Sequence, residues 1–276
     1  MDGREIRLRR LFGGEPGPAG RGRAVIIACD HGLFDGPIEG MEDLPATAEK
    51  INPDVDAVLL APGMLRHCAG AFAGRCRPMA VVRLNWNTVY CFRWSYRDAA
   101  SVAAYGPADA LREGMDIALV SLTLHTGDEG RDAANVRVFA DLTNACHKLG
   151  IPVIGEYFPT RHVDLAPEAL HEDIRMGARI AAELGADALK TFYTCDFAAV
   201  TSSVPVPVLG LGAEKRPTQR GALELAAAEV AAGAGGVVFG RNAIQVPDPH
   251  AFQAALCEVV RDGADPGEMV AKHALE

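Results

Sequence analysis

Lys190 closes the run Gly185-Ala186-Asp187-Ala188-Leu189-Lys190-Thr191-Phe192-Tyr193, which otherwise has the composition of a buried β-strand. A lysine placed among apolar neighbours loses solvation of its charged form, so desolvation is expected to lower its pKa and free the nitrogen lone pair near neutral pH. Such an amine condenses with a ketone. The resulting iminium ion withdraws electrons from the adjacent carbon and permits carbon-carbon bond formation or cleavage without a metal. A strand-end lysine more commonly reaches solvent or pairs with a carboxylate, so the chain must also supply acid/base neighbours.

Several residues are candidates for that duty. Asp30 and His31 end an apolar run at Ala24 to Cys29, and strand alternation turns one of them toward the site, with Asp30 preferred. Asp30 would shuttle protons or hold Lys190 by charge; His31 would bind substrate or pack beneath the loop beginning at Gly32. In the run Pro152 to Tyr157, Glu156 and Tyr157 lie on opposite faces. Glu156 is expected inward because a carboxylate is hard to bury beneath a helix, with Tyr157 as the competing choice. His125 is a candidate for a polar substrate group, while Arg161 and His162, on a polar loop after the fifth strand, are placed to touch an acceptor and stay unassigned. There is neither an HExxH pair nor a GxSxG elbow, which argues against metal-assisted and serine hydrolysis.

These side chains need a frame. Eight apolar runs of strand length recur: Ala24 to Cys29, Ala57 to Ala61, Ala80 to Leu84, Ile117 to Leu122, Pro152 to Tyr157, Ala186 to Phe192, Val206 to Leu209 and Gly236 to Phe239. Between them lie stretches with apolar residues at helical spacing, such as Ala133 to Leu149, Glu168 to Leu184 and Arg220 to Ala232. Several helices end at glycine immediately before a strand, as at Gly114, Gly185 and Gly233, where glycine relieves a left-handed cap. Repeated βα units with near-continuous apolar strands call for a parallel sheet covered by helices, and eight of them predict a single-domain (β/α)8 barrel. No GxGxxG follows the first strand, which weakens a dinucleotide-binding alternative. The expected layout is an N-terminal arm over 1–22, the catalytic barrel over 23–262 and a tail over 263–276.

In such a barrel the site gathers at the C-terminal ends of the strands. There the chain places Asp30-His31-Gly32, Asn85-Trp86-Asn87-Thr88, Thr123 to Gly127, Glu156 to Pro159, Lys190-Thr191, Gly210 to Lys215 and Gly240-Arg241-Asn242. Glycine-bearing loops after the seventh and eighth strands hold phosphate in barrels of this kind, which makes Gly210, Gly212, Ala213, Lys215, Gly240 and Arg241 the candidate phosphate site.

The 276 residues suit one such barrel. The formal charge of −9 argues against nucleic acid and anionic membrane as partners. The arginines among residues 4 to 23 flank a Gly/Pro-rich stretch and are taken as a solvated arm. Seven scattered cysteines without CxxC spacing indicate reduced thiols and no zinc site. With no apolar leader and no apolar run near 18 residues, a cytoplasmic location is expected.

The ordered strand ends resemble the archaeal-type class I fructose-bisphosphate aldolases and the wider DeoC/LacD group of Schiff-base aldolases. The likeness spans about residues 22 to 262. It rests on Ala28-Cys29-Asp30-His31-Gly32 with Gly36-Pro37, on Ala186-Asp187-Ala188-Leu189-Lys190, on the glycine loop near Gly212, and on Gly240-Arg241-Asn242 with Gln245. The resemblance implies a Schiff-base lysine at Lys190, an active-site aspartate at Asp30, and binding of a donor phosphate by Gly212, Lys215, Gly240 and Arg241. It implies no cofactor, a small phosphorylated substrate and a homo-oligomer.

Two departures stand out. Aldolases of this type carry an acid/base tyrosine before Pro-Arg-Gly, where this chain has Phe158 before Pro159-Thr160. Their Ser-Gly-Gly-Pro-Lys loop is here Leu211-Gly212-Ala213-Glu214-Lys215, with a carboxylate beside the expected phosphate. Relatives use the same barrel for condensation with aspartate semialdehyde or for thiolase chemistry. A specialised condensation, acyl transfer and a phosphometabolite-binding pseudoenzyme are therefore the alternatives. The aromatic segment Arg83 to Trp94 fits a specialised acceptor or a subunit contact.

Overall fold

Strand alternation sorts the sheet into an inner and an outer layer. The strands are β1 (Ala24–Ala28), β2 (Ala57–Leu60), β3 (Met79–Arg83), β4 (Asn85–Asn87), β5 (Ser101–Ala103), β6 (Ile117–Leu122), β7 (Val153–Tyr157), β8 (Ala188–Phe192), β9 (Val208–Leu211) and β10 (Gly236–Phe239). Along β1, Ala24, Ile26 and Ala28 enter one apolar cluster with Leu59, Val81, Leu119, Ile154, Ala188, Leu209 and Val238. Val25 and Ile27 enter a second cluster with Phe139, Ile174 and Leu223 of the surrounding helices. The period of two thus fills a barrel interior and an outer shell from the same strands.

The computed structural model describes residues 2–14, 22–74, 77–96, 98–160 and 162–275. Eight parallel strands close in the order β1-β10-β9-β8-β7-β6-β3-β2, and helices between them cover the outside, giving the (β/α)8 barrel expected from the repeats. Among the described residues no helix is long and apolar enough to cross a membrane.

The glycine punctuation does what its spacing predicts. Gly114, Gly185 and Gly233 have φ of 106°, 102° and 90°, and each reverses the chain from a helix into a strand. The aspartates beside such turns fix strand register. Asp56, Asp116 and Asp187 accept the backbone N–H of Val25, Ala80 and Val153 at 2.7, 2.9 and 2.9 Å, satisfying a donor at the start of the neighbouring strand.

Both chain ends differ from the sequence expectation. The arm forms a helix, Gly3–Phe12, capped by the Asp2 carboxylate and ended by Gly13 in the left-handed region. Its Leu11 and Phe12 are fully buried and join the inner cluster, so they plug the barrel. The arm's arginines are partly used to hold it there, with Arg4 reaching Asp187 at 3.4 Å. Of the Gly/Pro-rich stretch, residues 15–21 lie outside the described residues. At the other end, Pro266–Lys272 is a helix packed on Gln219–Ala231 with Met269 and Leu275 buried, so this segment belongs to the body of the protein.

The polar cluster expected at the end of the third strand is mostly scaffold. β4 and β5 form an antiparallel hairpin, and Asn85 donates to Ser101 and to the Ser121 carbonyl while accepting from the Ser121 N–H, each at 2.8 Å. Asn135 of the helix Glu129–Lys148 accepts from the Ser101 N–H at 3.0 Å and donates to the Ala99 and Thr123 carbonyls. Buried amides satisfied this completely tie the hairpin rigidly to the rim. The turn between its strands carries Tyr90 over the barrel mouth.

Candidate active site

The alternation that fills the interior continues past its last apolar layer. Two residues beyond Ala28 stands Asp30, two beyond Val81 Arg83, two beyond Ile154 Glu156 and two beyond Ala188 Lys190. All four line one cavity at the C-terminal mouth, with a volume of about 830 Å³. Glu156 and Lys190 are register partners on β7 and β8, which places the carboxylate beside the amine.

The four side chains form a continuous ion network. Lys190 Nζ lies 2.5 Å from Glu156 Oε1, and Arg83 Nη2 lies 2.6 Å from Glu156 Oε2. Arg83 Nε donates to Asp30 Oδ2 at 2.5 Å. The Tyr90 hydroxyl donates to Glu156 Oε2 at 2.8 Å, and the guanidinium sits 4.8 Å from the centroid of the Tyr90 ring and 5.2 Å from that of Phe34. Lys190 is 7% exposed, yet it opens into the cavity. The sequence expectation of an amine among apolar neighbours is corrected here, since its immediate partner is a carboxylate.

Charge balance explains why such groups tolerate burial. Two cations and two carboxylates sum to zero, and each carboxylate meets at least one cation. Burial disfavours the ionised form of Asp30 and of Glu156, but Arg83 and Lys190 outweigh it and hold both carboxyls below their ordinary values. Burial also works against the Arg83 charge, and Glu156 and Asp30 overcome it and hold that group well above its usual range. Burial and the neighbouring Glu156 charge push the Tyr90 hydroxyl well up, so it stays protonated as a donor. Burial brings His31 down to about 4 against the pull of Asp30, leaving it neutral at pH 7.

The loops after β9 and β10 form another wall. Gly212, Ala213, Lys215, Gly240 and Arg241 all line the cavity with His31. Asn242 staples this wall by donating to the Gly212 and Glu214 carbonyls at 2.7 and 3.0 Å and accepting from the Arg216 N–H at 2.7 Å. Arg241 donates to the Ala213 carbonyl at 2.9 Å. Gly240 has a steric reason, because a Cβ there would stand 2.3 Å from His31 Cε1 and 2.9 Å from the Ala28 carbonyl oxygen.

Three expected residues lie elsewhere. Tyr157 is turned outward beneath the helix Pro167–Glu183, where its hydroxyl donates to Asp173 at 3.1 Å and its ring occupies the space left by Gly177. It points away from Lys190 because it is one residue out of phase with Glu156. His125 is exposed on the rim, 3.6 Å from Asp173 and outside the cavity lining. Gly210 faces the outer shell, where a Cβ would come 2.2 Å from Glu229 Cδ. Arg161 lies outside the described residues.

Glu229 itself is a buried carboxyl whose two oxygens have no hydrogen-bond partner among the described residues. Burial raises it well above the carboxylate range, with Arg216 opposing, so it is neutral in the folded protein and ionises freely on unfolding. Stability is therefore lost as pH rises above the ordinary glutamate value of about 4.3. Glu229→Met is expected to stabilise the protein by roughly 1–3 kcal/mol near neutral pH, with an advantage that grows between pH 5 and pH 8. Denaturation midpoints at the two pH values measure it; an equal advantage at both would show that ionisation is not the cause.

Arg83 and Tyr90 line the site, yet the sequence marked them only as part of the aromatic segment Arg83 to Trp94 and not individually. Arg83 carried a usable signal, a lone cation in Ala80-Val81-Val82-Arg83-Leu84 of the same kind that marks Lys190. Tyr90 carried none, because its position depends on the hairpin.

Comparison with known proteins identifies the family and agrees with the fold. Residues 24–246 match the model for DeoC/LacD family aldolases. An uncharacterized aldolase of Saccharolobus solfataricus is 31% identical over 97% of this chain and 98% of its own length. A 2-amino-4,5-dihydroxy-6-oxo-7-(phosphonooxy)heptanoate synthase of Streptomyces griseus is 28% identical over 96% of this chain and 92% of its own. Among solved structures, an archaeal fructose-1,6-bisphosphate aldolase with its catalytic lysine covalently bound to the carbinolamine intermediate of its substrate has a TM-score of 0.75 at 27% identity, covering 93% of this chain and 99% of that one. With the barrel, the buried lysine and a family match over most of its length, the chain belongs to the DeoC/LacD family of aldolases.

Proposed function

We propose that this enzyme is a class I aldolase in which Lys190 forms an iminium ion with a phosphorylated ketone donor of the dihydroxyacetone phosphate kind. The observation that carries the reading is the Lys190–Glu156 contact of 2.5 Å inside a cavity that is also lined by Gly212, Ala213, Lys215, Gly240 and Arg241. Proton transfer from Lys190 to Glu156 within that contact yields a neutral amine and a neutral acid. The amine attacks the ketone carbon, and Glu156 returns its proton to the carbinolamine hydroxyl, which leaves as water. Glu156, again a carboxylate, then removes the α-proton to give the enamine. Addition to an aldehyde forms the new bond, and the reverse sequence cleaves it.

Phe158 stands where the similar aldolases have their acid/base tyrosine, and it cannot carry a proton. The Tyr90 ring centroid lies 4.5 Å from that of Phe158, and its hydroxyl reaches Glu156. Tyr90 thus supplies the missing phenol from another element, as a donor that orients Glu156. Arg83 and Asp30 complete the electrostatic frame, Arg83 by holding Glu156 ionised between turnovers and Asp30 by balancing Arg83. Gly212, Lys215, Gly240 and Arg241 receive the donor phosphate, with His31 packed behind Gly240. A homo-oligomeric setting accompanies this reading, supported by the exposed Trp94 and Tyr96, and a cytoplasmic one is kept as an expectation from the sequence.

Hydrogen exchange at the α-carbon of dihydroxyacetone phosphate in deuterated buffer tests the reading. Enzyme-dependent exchange is expected, since a protein that merely binds a phosphometabolite does not labilise that proton. A spectrum unchanged from the enzyme-free control would remove the donor assignment.

A further inference from the structure

The cavity is chemically lopsided. Its exposed cations Lys215 and Arg216, together with Arg241, come from the β9 and β10 loops. The β7 and β8 side is built from Phe158, His162, Val163 and Phe192, roofed by Phe92 from the turn between β4 and β5. These rings form a connected array: Phe158 to Phe192 at 5.0 Å, Phe158 to His162 at 4.8 Å, and His162 stacked on Phe192 at 5.2 Å with 26° between planes. Phe92 stands 6.0 Å from His162 and is 56% exposed, and Val163 is 72% exposed, so apolar surface faces the cavity uncovered. Burial lowers the His162 pKa against the opposing pull of Glu214 and Asp164, so this side presents a neutral imidazole among its rings.

Lys190 and Glu156 lie between the two sides, which fixes what each side meets. With the donor phosphate on the β9 and β10 loops, the acceptor carbonyl must come from the aromatic side. A second phosphate there would lose its hydration against phenylalanines, with no lysine or arginine other than Lys190 among the described residues lining that side. Flat apolar groups instead gain offset or edge contacts with the array.

We propose that the acceptor is an uncharged, unphosphorylated aldehyde bearing an aromatic or similarly flat apolar group, held by Phe92, Phe158, His162 and Phe192. The proposal rests on the donor reading above and names the other half of the substrate. In the step it implies, the enamine electron pair forms the bond to the aldehyde carbon. The carbonyl π pair moves to oxygen, which takes the proton that Glu156 had removed from the donor, and water then hydrolyses the iminium ion to release product and Lys190.

The test pairs two measurements on the intact enzyme. Exchange at the α-carbon of dihydroxyacetone phosphate reports the donor. Product formation from dihydroxyacetone phosphate with benzaldehyde, glyceraldehyde 3-phosphate or aspartate semialdehyde reports the acceptor. Exchange together with a kcat/KM for benzaldehyde at least about 10-fold above both charged aldehydes is expected. Phe92→Ala, a change at a half-exposed side chain that leaves the core intact, is expected to lower the benzaldehyde value roughly 10- to 100-fold and narrow the preference. Exchange with equal or better use of either charged aldehyde would overturn the acceptor assignment alone. No exchange would overturn the donor reading and this assignment with it.

Discussion

Lys190→Met is expected to reduce both α-hydrogen exchange and carbon-carbon bond turnover with dihydroxyacetone phosphate to the enzyme-free background. Methionine fills a similar volume but has no lone pair able to form an iminium ion, so every later step loses its electron sink. The substitution leaves Glu156 paired with Arg83 and Tyr90, which keeps the carboxylate compensated and the barrel folded. A near-ultraviolet spectrum and denaturation midpoint close to those of the parent are the accompanying controls. Residual turnover above background in a folded variant would move the nucleophile elsewhere, and among the described lining residues Lys215 would be the next amine to examine.

Glu156→Gln is the second large effect. Glutamine keeps the shape and accepts hydrogen bonds from Arg83 and Tyr90, yet it neither takes the proton from Lys190 nor removes one from the donor carbon. Turnover is expected to fall by about two to four orders of magnitude, the usual worth of a general acid/base. The parent's acid limb should lie low: burial raises the Glu156 carboxyl, but Arg83 and Lys190 outweigh it and bring it below the ordinary value, so the base form persists below the usual carboxylate range. Steady-state rates and a pH profile of both proteins measure this. An unchanged rate would shift the proton duty to Tyr90, because Tyr157 is committed to Asp173 on the far side of the sheet.

How much of this was legible in the sequence depended on whether a residue's position follows from its own strand. The barrel, its eight strands and the inward sense of Asp30, Glu156 and Lys190 follow from a period of two and from helix-to-strand glycines, both local patterns. The choice between Glu156 and Tyr157 needed one tertiary fact, which face looks inward, and the argument that a carboxylate is poorly buried beneath a helix named the residue that lines the cavity. Gly210 was placed in the cavity by analogy with its loop, although it lies within β9 one residue out of phase with Leu209 and Leu211. Arg83 was hidden because the third apolar run was read through to Leu84, so attention passed to Asn85 and Asn87, whose amides hold the hairpin. The N-terminal helix escaped because its arginines are interleaved with its apolar residues, of which only Leu11 and Phe12 are fully buried in the inner cluster.

Tyr90 shows a limit of a different kind. Nothing within Thr88-Val89-Tyr90-Cys91 says that this phenol meets Glu156; that contact depends on Asn85, Ser101, Asn135 and Ser121 bonding together across 50 residues of chain. A phenol brought to Glu156 beside Phe158 from another element leaves no trace in local spacing. The aromatic surplus around Phe92 was visible as composition, whereas its use as one wall of the cavity required the fold.

The measurement that bears most directly on the covalent step is peptide mapping by mass spectrometry of the protein reduced with borohydride in the presence of dihydroxyacetone phosphate. The expected result is one adduct, carrying the mass of the reduced donor, on the peptide that contains Lys190. An adduct confined to another lysine, or none under conditions where the enzyme turns over, would contradict a Schiff base at this amine.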